Sequence, residues 1–202
     1  MEQLETEIKF YLADLSSIRQ RIMEMGAHSR GRSFESNIRF EDRHRNLKKQ
    51  KSLLRLRQDR KVRLTYKSTP PGDNGQFKIM KELEVEVSDF DTMHHILEAL
   101  GFHQEQVYEK RRETMVLDRT HFCLDSMPFG NFLEIEGPKQ DIQKFTARLG
   151  LPWNQRILLN YLEIFGILKN KLHLEFSNVT FDNFRHVEVN LADWLPLLVA
   201  GN

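Results

Sequence analysis

The segment Glu5-Thr6-Glu7-Ile8-Lys9 sets the charge pattern on which this 202-residue chain is built. In an extended strand, alternate side chains point to one face, so Glu5, Glu7 and Lys9 share a face. Two carboxylates at this spacing lie about 6.6 Å apart along the strand. At an effective dielectric constant near 20 they repel each other by about 2.5 kcal/mol. The pair is therefore expected to face open water or to hold a cation.

Two later segments repeat this alternation of acidic and apolar residues. Residues 81–87 read KELEVEV and residues 132–136 read FLEIE. Both have the two-residue period of a strand with one apolar face. The carboxylates on the charged faces of these two segments are Glu82, Glu84 and Glu86, and Glu134 and Glu136.

Other segments carry cations in the same strand-like pattern. They include residues 54–57 (LRLR), residues 63–67 (RLTYK) and residues 110–112 (KRR). Acids and bases are thus segregated strand by strand, with few neutral polar residues among them, whereas ordinary solvent-facing strands mix both signs. The cations that share faces in this way are Arg55 and Arg57, Arg63 and Lys67, and Lys110 and Arg112.

The pattern allows two interpretations of the sheet. In the simpler one, an antiparallel sheet exposes its charged face to solvent. In the other, which the segregation favours, the sheet closes into a barrel with the charges inside. Unpaired buried charges are too costly for a packed core, so such an interior is expected to be a hydrated tunnel. Carboxylates bind Mg²⁺ and Mn²⁺, and guanidinium groups bind phosphate oxygens, so a triphosphate–metal complex suits both walls.

Taken in order, these segments resemble the triphosphate tunnel metalloenzymes, also called the CYTH domain family. That family joins class IV adenylate cyclases with thiamine triphosphatases. The matching pieces cover about residues 1–150 and also include the stretch FGNFLEIEG at residues 129–137, which is most similar to the cyclase branch. The resemblance implies an α+β fold: an eight-stranded antiparallel β-barrel around a triphosphate tunnel, with helices packed outside. Residues 151–202 are then expected to form a C-terminal helix and an extension that packs on the barrel.

The resemblance also assigns roles to residues. The expected metal ligands are Glu5, Glu7, Glu134 and Glu136, with Glu82, Glu84 and Asp125 as further candidates. The expected triphosphate-binding residues are Lys9, Arg55, Arg57, Arg63, Lys67, Lys110 and Arg112. Of these, the ones expected to act in catalysis are Lys9, Arg57 and Arg112. The implied cofactor is Mg²⁺ or Mn²⁺, and the implied substrate is a nucleoside triphosphate or polyphosphate.

Three functions remain open at this point. The first is a class IV adenylate cyclase-like reaction from ATP to cyclic AMP and pyrophosphate. The second is hydrolysis of inorganic tripolyphosphate or another organic triphosphate. The third is a non-catalytic polyphosphate- or nucleotide-binding module. A thiamine triphosphatase is disfavoured, because Arg39 stands near the position in the second strand where that branch is expected to carry a tyrosine.

Composition limits the partners and the compartment. The formal net charge is only +1, so the whole chain lacks the basic character typical of nucleic-acid binding. The single cysteine, Cys123, cannot form an intramolecular disulfide, which favours a reducing cytoplasm. No apolar signal region or membrane-length apolar run is present. We therefore expect a cytoplasmic protein without nucleic-acid or membrane partners, and a homodimer is a further hypothesis.

Helical periodicity appears between the predicted strands. Apolar residues recur at helical spacing over residues 14–25 and 91–100, and both runs end at a glycine. Further helices are predicted after Pro138 and over residues 155–165.

Overall fold

Eight strands and six α-helices make up the computed structural model, which describes residues 3–71 and 75–200. Residues 1–2 and 72–74 of the predicted barrel domain, and residues 201–202 of the predicted extension, lie outside these ranges. The strands are β1 Gln3–Leu12, β2 His28–Asp42, β3 Ser52–Gln58, β4 Val62–Ser68, β5 Lys78–Val87, β6 Phe102–Leu117, β7 Thr120–Met127 and β8 Gly130–Glu136. The helices are α1 Leu15–Glu24, α2 Asn46–Lys49, α3 Phe90–Ala99, α4 Lys139–Arg148, α5 Tyr161–Leu172 and α6 Leu195–Leu198.

The strands form one closed antiparallel ring in the order β1-β5-β4-β3-β2-β6-β7-β8. Strand β1 closes it by pairing with β5 along one edge and with β8 along the other. The predicted eight-stranded antiparallel barrel with external helices is thereby confirmed. This order places the acidic strands β8, β1 and β5 side by side, while the basic strands β4, β3 and β6 lie across the barrel.

Strand register decides which side chains share the interior. Directly paired residues in an antiparallel sheet point to the same face. Lys9 is paired with Glu134, and Glu7 with Glu136. On the basic side, Arg57 is paired with Arg63. A shift of one residue would move every one of these charges to the outside.

The apolar faces of the strands point outward and are covered by helices. Helix α1 begins after its N-cap Asp14 and buries Ile18 and Ile22 in a cluster with Phe10 and Phe145. Helix α3 places Leu97 in a second cluster on the outside of β2 and β3. The helices predicted over residues 14–25 and 91–100 are thus confirmed.

The C-terminal helix differs from its prediction. A short 3₁₀ turn, Trp153–Gln155, stands where the predicted helix begins, and α5 starts only at Tyr161. Asn160 sets this start, because its side chain accepts hydrogen bonds from the backbone of Leu162 and Glu163. Apolar periodicity carries no signal of this capping box, and the start that it predicts for the helix is therefore too early.

The segment after α5 packs beside the barrel. Val179 exchanges backbone hydrogen bonds with Val107 and Glu109 of β6, at 2.8 and 2.9 Å. Aromatic residues of the segment, including Phe184, join a third apolar cluster with Phe129, Phe132 and α5. Within the described ranges, the helices are too short or too polar to cross a membrane.

An ion-pair cluster on the outer surface allows a test of how α1 docks. Glu113 of β6 accepts hydrogen bonds from Arg19 of α1 (3.0 Å), Ser29 (2.8 Å) and Arg32 (2.9 Å). Led by the bonds from Arg19, these donors lower the pKa of Glu113 to about 2. The stability that Glu113 adds is therefore fully present above its ordinary pKa of 4.5 and is lost as pH falls towards 2.

We predict that Glu113→Gln lowers the free energy of unfolding at pH 7 by about 1 kcal/mol. The difference from wild type should shrink as pH falls from 4.5 towards 2, because Glu113 of the unfolded wild-type chain then binds a proton more readily than Glu113 of the folded protein. Urea unfolding at several pH values measures this, and Glu188→Gln at an exposed position is the control. The same deficit at pH 3 and pH 7 would contradict the prediction.

Candidate functional site

The barrel encloses a cavity of about 500 Å³ that is lined mainly by charged side chains. The lining contains every predicted metal-binding or phosphate-binding residue except Asp125. The predicted residues that line it are Glu5, Glu7, Lys9, Arg55, Arg57, Arg63, Lys67, Glu82, Glu84, Lys110, Arg112, Glu134 and Glu136. The charged faces of the strands therefore meet in one tunnel and not on a solvent-facing sheet.

Three carboxylates form the best candidate metal site. Oxygen atoms of Glu5, Glu7 and Glu136 lie within 4.8 Å of one another. Burial, reinforced by the neighbouring carboxylates of Glu5, Glu134 and Glu7, raises the pKa of Glu136 to about 8 despite the opposing charge of Arg112. A cluster of three carboxyl groups supplies the oxygen donors that Mg²⁺ and Mn²⁺ prefer.

Glu134, which the resemblance places among the metal ligands, contacts the cations instead. One of its oxygens lies 2.5 Å from Lys9 Nζ, and the other accepts a hydrogen bond from Arg112. Burial alone would raise the pKa of Glu134, but Lys9 and Arg112 outweigh it and hold the pKa well below its usual range. The role of Glu134 in metal binding stays a prediction.

Two lysines, one on β4 and one on β5, contact the three-carboxylate cluster. Lys67 of β4 pairs with Glu5 and, at 2.9 Å, with Glu82. Lys78 of β5 lies 2.5 Å from Glu7, and this attraction, against the effect of burial, raises the lysine pKa. Sequence reasoning missed Lys78, although extending the alternation of β5 back from Glu82 through Met80 would have found it.

Arg55, Arg57, Arg63, Lys110 and Arg112 form the basic wall of the tunnel. This wall contains two acidic residues that sequence reasoning also missed. Glu35 of β2 lies 3.4 Å from Lys110 Nζ and 3.9 Å from an Arg57 nitrogen. Burial opposes ionisation of Glu35, yet Lys110 and Arg112 lower its pKa to about 2. Asp59, in the turn after β3, holds Arg63 at 2.9 Å. Each carboxylate offsets part of the repulsion among the clustered cations.

Some hydrogen-bonding capacity on the basic wall remains unused. The buried Nε atoms of Arg55 and Arg57 have no hydrogen-bond partner among the residues that the structure describes. Arg57 does contact Glu84 through another nitrogen, at 3.2 Å. Unsatisfied buried donors at a charged cavity indicate positions where a ligand or ordered water completes the network.

Asp125 contacts the cations and is not a member of the three-carboxylate cluster. It is fully buried and accepts hydrogen bonds from Arg112 Nε at 2.6 Å, Lys110 Nζ at 3.2 Å and the Tyr161 hydroxyl at 2.7 Å. Two of its three donor residues are predicted phosphate-binding cations. Asp125 is therefore better placed to orient the cations of the basic wall than to bind a metal ion.

Two tyrosines that the sequence did not indicate as site residues, Tyr108 and Tyr161, line the tunnel. Arg39, which stands near the expected tyrosine position of the thiamine triphosphatase branch, is paired with Arg55 across the β2–β3 ladder. Tyr108 of β6 lines the tunnel, and its hydroxyl accepts a hydrogen bond from Arg55 at 3.3 Å. Tyr161 lines the tunnel from α5. Nothing in the local sequence around Tyr161 indicated that it reaches a site formed by the strands.

We predict that Glu7→Gln and Asp125→Asn separate metal binding from support of the cations. Loss of a metal-binding charge should weaken Mn²⁺ binding by about ten- to hundredfold in Glu7→Gln. Asp125→Asn should leave Mn²⁺ affinity nearly unchanged, because Asp125 contacts cations and a tyrosine. Isothermal titration with Mn²⁺ alone measures both variants. Equal losses of affinity would contradict this division of roles.

Comparison with known proteins supports the same fold. The family model of the CYTH domain matches residues 3–173, which extends past position 150 and through α5. None of the curated proteins matches. Among solved structures, the PH1012 protein of Pyrococcus horikoshii is similar, with 29% identity, a TM-score of 0.68, and coverage of 79% of this chain and 98% of that one.

Two further structures share the fold at lower identity. A Vibrio parahaemolyticus protein, described as a candidate adenylate cyclase, has 19% identity, a TM-score of 0.71, and coverage of 82% of this chain and 99% of that one. A Hippeastrum protein, described as a candidate adenylyl cyclase with a dominant triphosphatase activity, has 18% identity, a TM-score of 0.58, and coverage of 83% and 96%. With the family match spanning most of its length and the closed eight-stranded ring around a charged tunnel, the chain belongs to the CYTH domain family.

Proposed function

We propose that the protein is a metal-dependent enzyme acting on the triphosphate of a nucleotide, and that its reaction converts ATP to cyclic AMP and pyrophosphate. The observation that carries the proposal is the meeting of a three-carboxylate cluster and a wall of arginines and lysines in one cavity. Taken separately, the carboxylate cluster and the wall of cations could each be explained without a ligand. Together they match a ligand that carries many negative charges and is bound with a divalent cation.

The charge balance of the tunnel supports a metal complex over a bare polyanion. The lining contains nine lysines and arginines and eight aspartates and glutamates, so the cations hardly exceed the anions. A tunnel built for phosphate alone would not need a carboxylate cluster, because those charges repel it. A metal-neutralised triphosphate resolves this conflict, since the ion faces the acids and the phosphate oxygens face the bases.

Glu5, Glu7 and Glu136 are the residues that would hold the ion. A bound divalent ion would neutralise phosphate oxygens and lower the pKa of an oxygen nucleophile. The proposal assigns the phosphate oxygens to the cations around this cluster. Lys9 and Arg112 both contact Glu134, and all three side chains line the tunnel.

The cations would act mainly by stabilising charge that develops during the reaction. In cyclisation, the ribose 3′-oxygen attacks the α-phosphorus, its proton is released, and pyrophosphate departs with the bonding electron pair. Arg57 and Arg63 are paired across β3 and β4, and Arg55 lies two residues before Arg57 on the same face of β3. Preorganised guanidinium groups of this kind stabilise the leaving oxygens without the cost of reorganising water.

Triphosphate hydrolysis is the second candidate reaction. Its support is the Hippeastrum structure, whose description reports a dominant triphosphatase activity in a protein first assigned as a cyclase. The same cations and carboxylates would serve a water molecule that attacks the terminal phosphorus. The two reactions differ in where the triphosphate rests along the tunnel.

The decisive experiment offers ATP, tripolyphosphate and thiamine triphosphate separately, with Mg²⁺ or Mn²⁺. Cyclic AMP, pyrophosphate and orthophosphate are then resolved by chromatography. Cyclic AMP with pyrophosphate from ATP supports the cyclase, and orthophosphate from tripolyphosphate or ATP supports the hydrolase. Tight binding of tripolyphosphate without turnover of any substrate would overturn both and leave the binding-module hypothesis.

The proposal also includes a cytoplasmic location, supported by the buried unpaired thiol of Cys123. A homodimer and the absence of nucleic-acid partners remain predictions.

We predict that Arg57→Ala lowers kcat/KM about ten- to hundredfold, through loss of one charge-assisted contact to the triphosphate. Arg185→Ala is the matched control, because Arg185 is exposed and pairs with Asp182 outside the tunnel. Tripolyphosphate should compete with ATP, whereas AMP should compete poorly because one phosphate engages few cations. Strong inhibition by AMP and indifference to tripolyphosphate would contradict the triphosphate site.

A further inference from the structure

Tyr161 connects the C-terminal helix with the phosphate-binding cations. It is the first residue of α5, yet its side chain lines the tunnel together with those of the strands. The face of its ring lies 4.4 Å from Lys9 Nζ and 5.4 Å from Lys110 Nζ. Ammonium groups at these distances are attracted to the electron-rich face of an aromatic ring.

The hydroxyl of Tyr161 reaches a third cation indirectly. It donates a hydrogen bond to Asp125 Oδ2 at 2.7 Å. Asp125 is fully buried and in turn accepts from Arg112 Nε at 2.6 Å and from Lys110 Nζ at 3.2 Å. One tyrosine therefore contacts two lysines through its ring and the carboxylate that orients an arginine through its hydroxyl.

The position of Tyr161 is itself held from several sides. Asn160 caps α5 immediately before it. Ile157 and Lys9 exchange backbone hydrogen bonds at 2.7 and 3.2 Å, which joins the segment before α5 to β1 at the tunnel lysine. The ring also meets Phe132 edge-on, with centroids 5.2 Å apart. These contacts allow little movement of the ring relative to the cations.

An aromatic face suits lysines that must also bind phosphate. A carboxylate in the same place would accept hydrogen bonds from the ammonium groups and partly neutralise them. The ring attracts an ammonium group but leaves its N–H donors available, because a π face is a much weaker acceptor than a carboxylate. Lys9 can thus keep its contact with Glu134 and still donate into the tunnel.

We propose that Tyr161 is a positioning residue that orients Lys9, Lys110 and, through Asp125, Arg112 for binding of the triphosphate. The inference rests on the proposed function, since it assumes that these cations bind phosphate oxygens. It makes the C-terminal helix a necessary part of the site, although the strands carry all the charged residues assigned to phosphate.

The test compares Tyr161→Phe, which removes the hydroxyl, and Tyr161→Leu, which also removes the ring, with Tyr11→Phe and Tyr11→Leu. Tyr11 is the matched control, because its ring also meets Phe132 edge-on, with centroids 6.0 Å apart, but Tyr11 is not among the tunnel-lining residues. Titration calorimetry measures tripolyphosphate and Mn²⁺ separately for each variant. Steady-state kinetics on the substrate that wild type turns over gives kcat and KM.

We expect tripolyphosphate affinity to fall about three- to tenfold in Tyr161→Phe and about tenfold or more in Tyr161→Leu. KM should rise more than kcat falls, because the substitutions disturb groups that bind the substrate before reaction. Mn²⁺ affinity should stay at the wild-type value, since the carboxylate cluster does not contact Tyr161. The Tyr11 variants should bind both ligands like wild type.

Several results would overturn the inference. It is wrong if both Tyr161 variants bind tripolyphosphate like wild type, or if they lose Mn²⁺ and tripolyphosphate affinity in equal measure, which indicates a merely structural role. If Tyr161→Leu does not fold, Tyr161→Phe alone decides the outcome. Wild-type protein that neither binds nor converts any triphosphate would refute the proposed function, and the inference with it. Normal wild-type binding with unchanged variants would refute the inference alone.

Discussion

The structure depends on pairing charges across strands inside the barrel. Two opposite charges 4 Å apart attract by about 4 kcal/mol at an effective dielectric constant of 20, while each also loses hydration on burial. The barrel meets this constraint by placing opposite charges next to each other on neighbouring strands. Lys9 meets Glu134 across β1 and β8, and Lys78 meets Glu7 across β5 and β1. An open sheet would lack the pairings that closure provides.

A charged interior transfers the hydrophobic core to the outside of the barrel. The apolar residues that alternate with the tunnel charges, such as Leu133 and Ile135 of β8, point away from the tunnel and need covering helices, because a sheet stays stable only when one face is buried. Helices α1 and α4 cover one side, with Ile22 and Phe145 fully or almost fully buried. Helix α3 covers another side. The helices therefore stabilise the barrel while leaving its interior free for polar chemistry.

The C-terminal segment connects the hydrophobic core outside the barrel with the charged tunnel inside it. Its aromatic cluster contains Phe129 and Phe132 on the barrel side and Phe165 and Phe184 on the other. Tyr161 belongs to this cluster through its ring and to the charged network through its hydroxyl. Apolar packing that holds α5 thus also sets the position of charged groups in the tunnel, which links stability to the binding geometry.

The sequence alone determined the strands, their faces and the charged lining of the tunnel. A period of two places Glu5 and Glu7, or Arg55 and Arg57, on one face whatever the surroundings, because that geometry is local to the strand. The caps Asp14 and Asp89 also act locally, through hydrogen bonds to the first turns of α1 and α3. The closed barrel followed from the charge segregation together with the family resemblance.

Only the tertiary structure decided which charges meet. Glu134 and Glu136 have the same spacing as Glu5 and Glu7, yet Glu136 joins the carboxylate cluster while Glu134 pairs with Lys9. Strand register makes that choice, since it sets how far along the tunnel each side chain lies. The same holds for Tyr161, which reaches Lys9 across more than a hundred residues of sequence. Such contacts depend on the order of the strands in the barrel and on where the helices dock. A sequence pattern that is local to one strand carries no information about either.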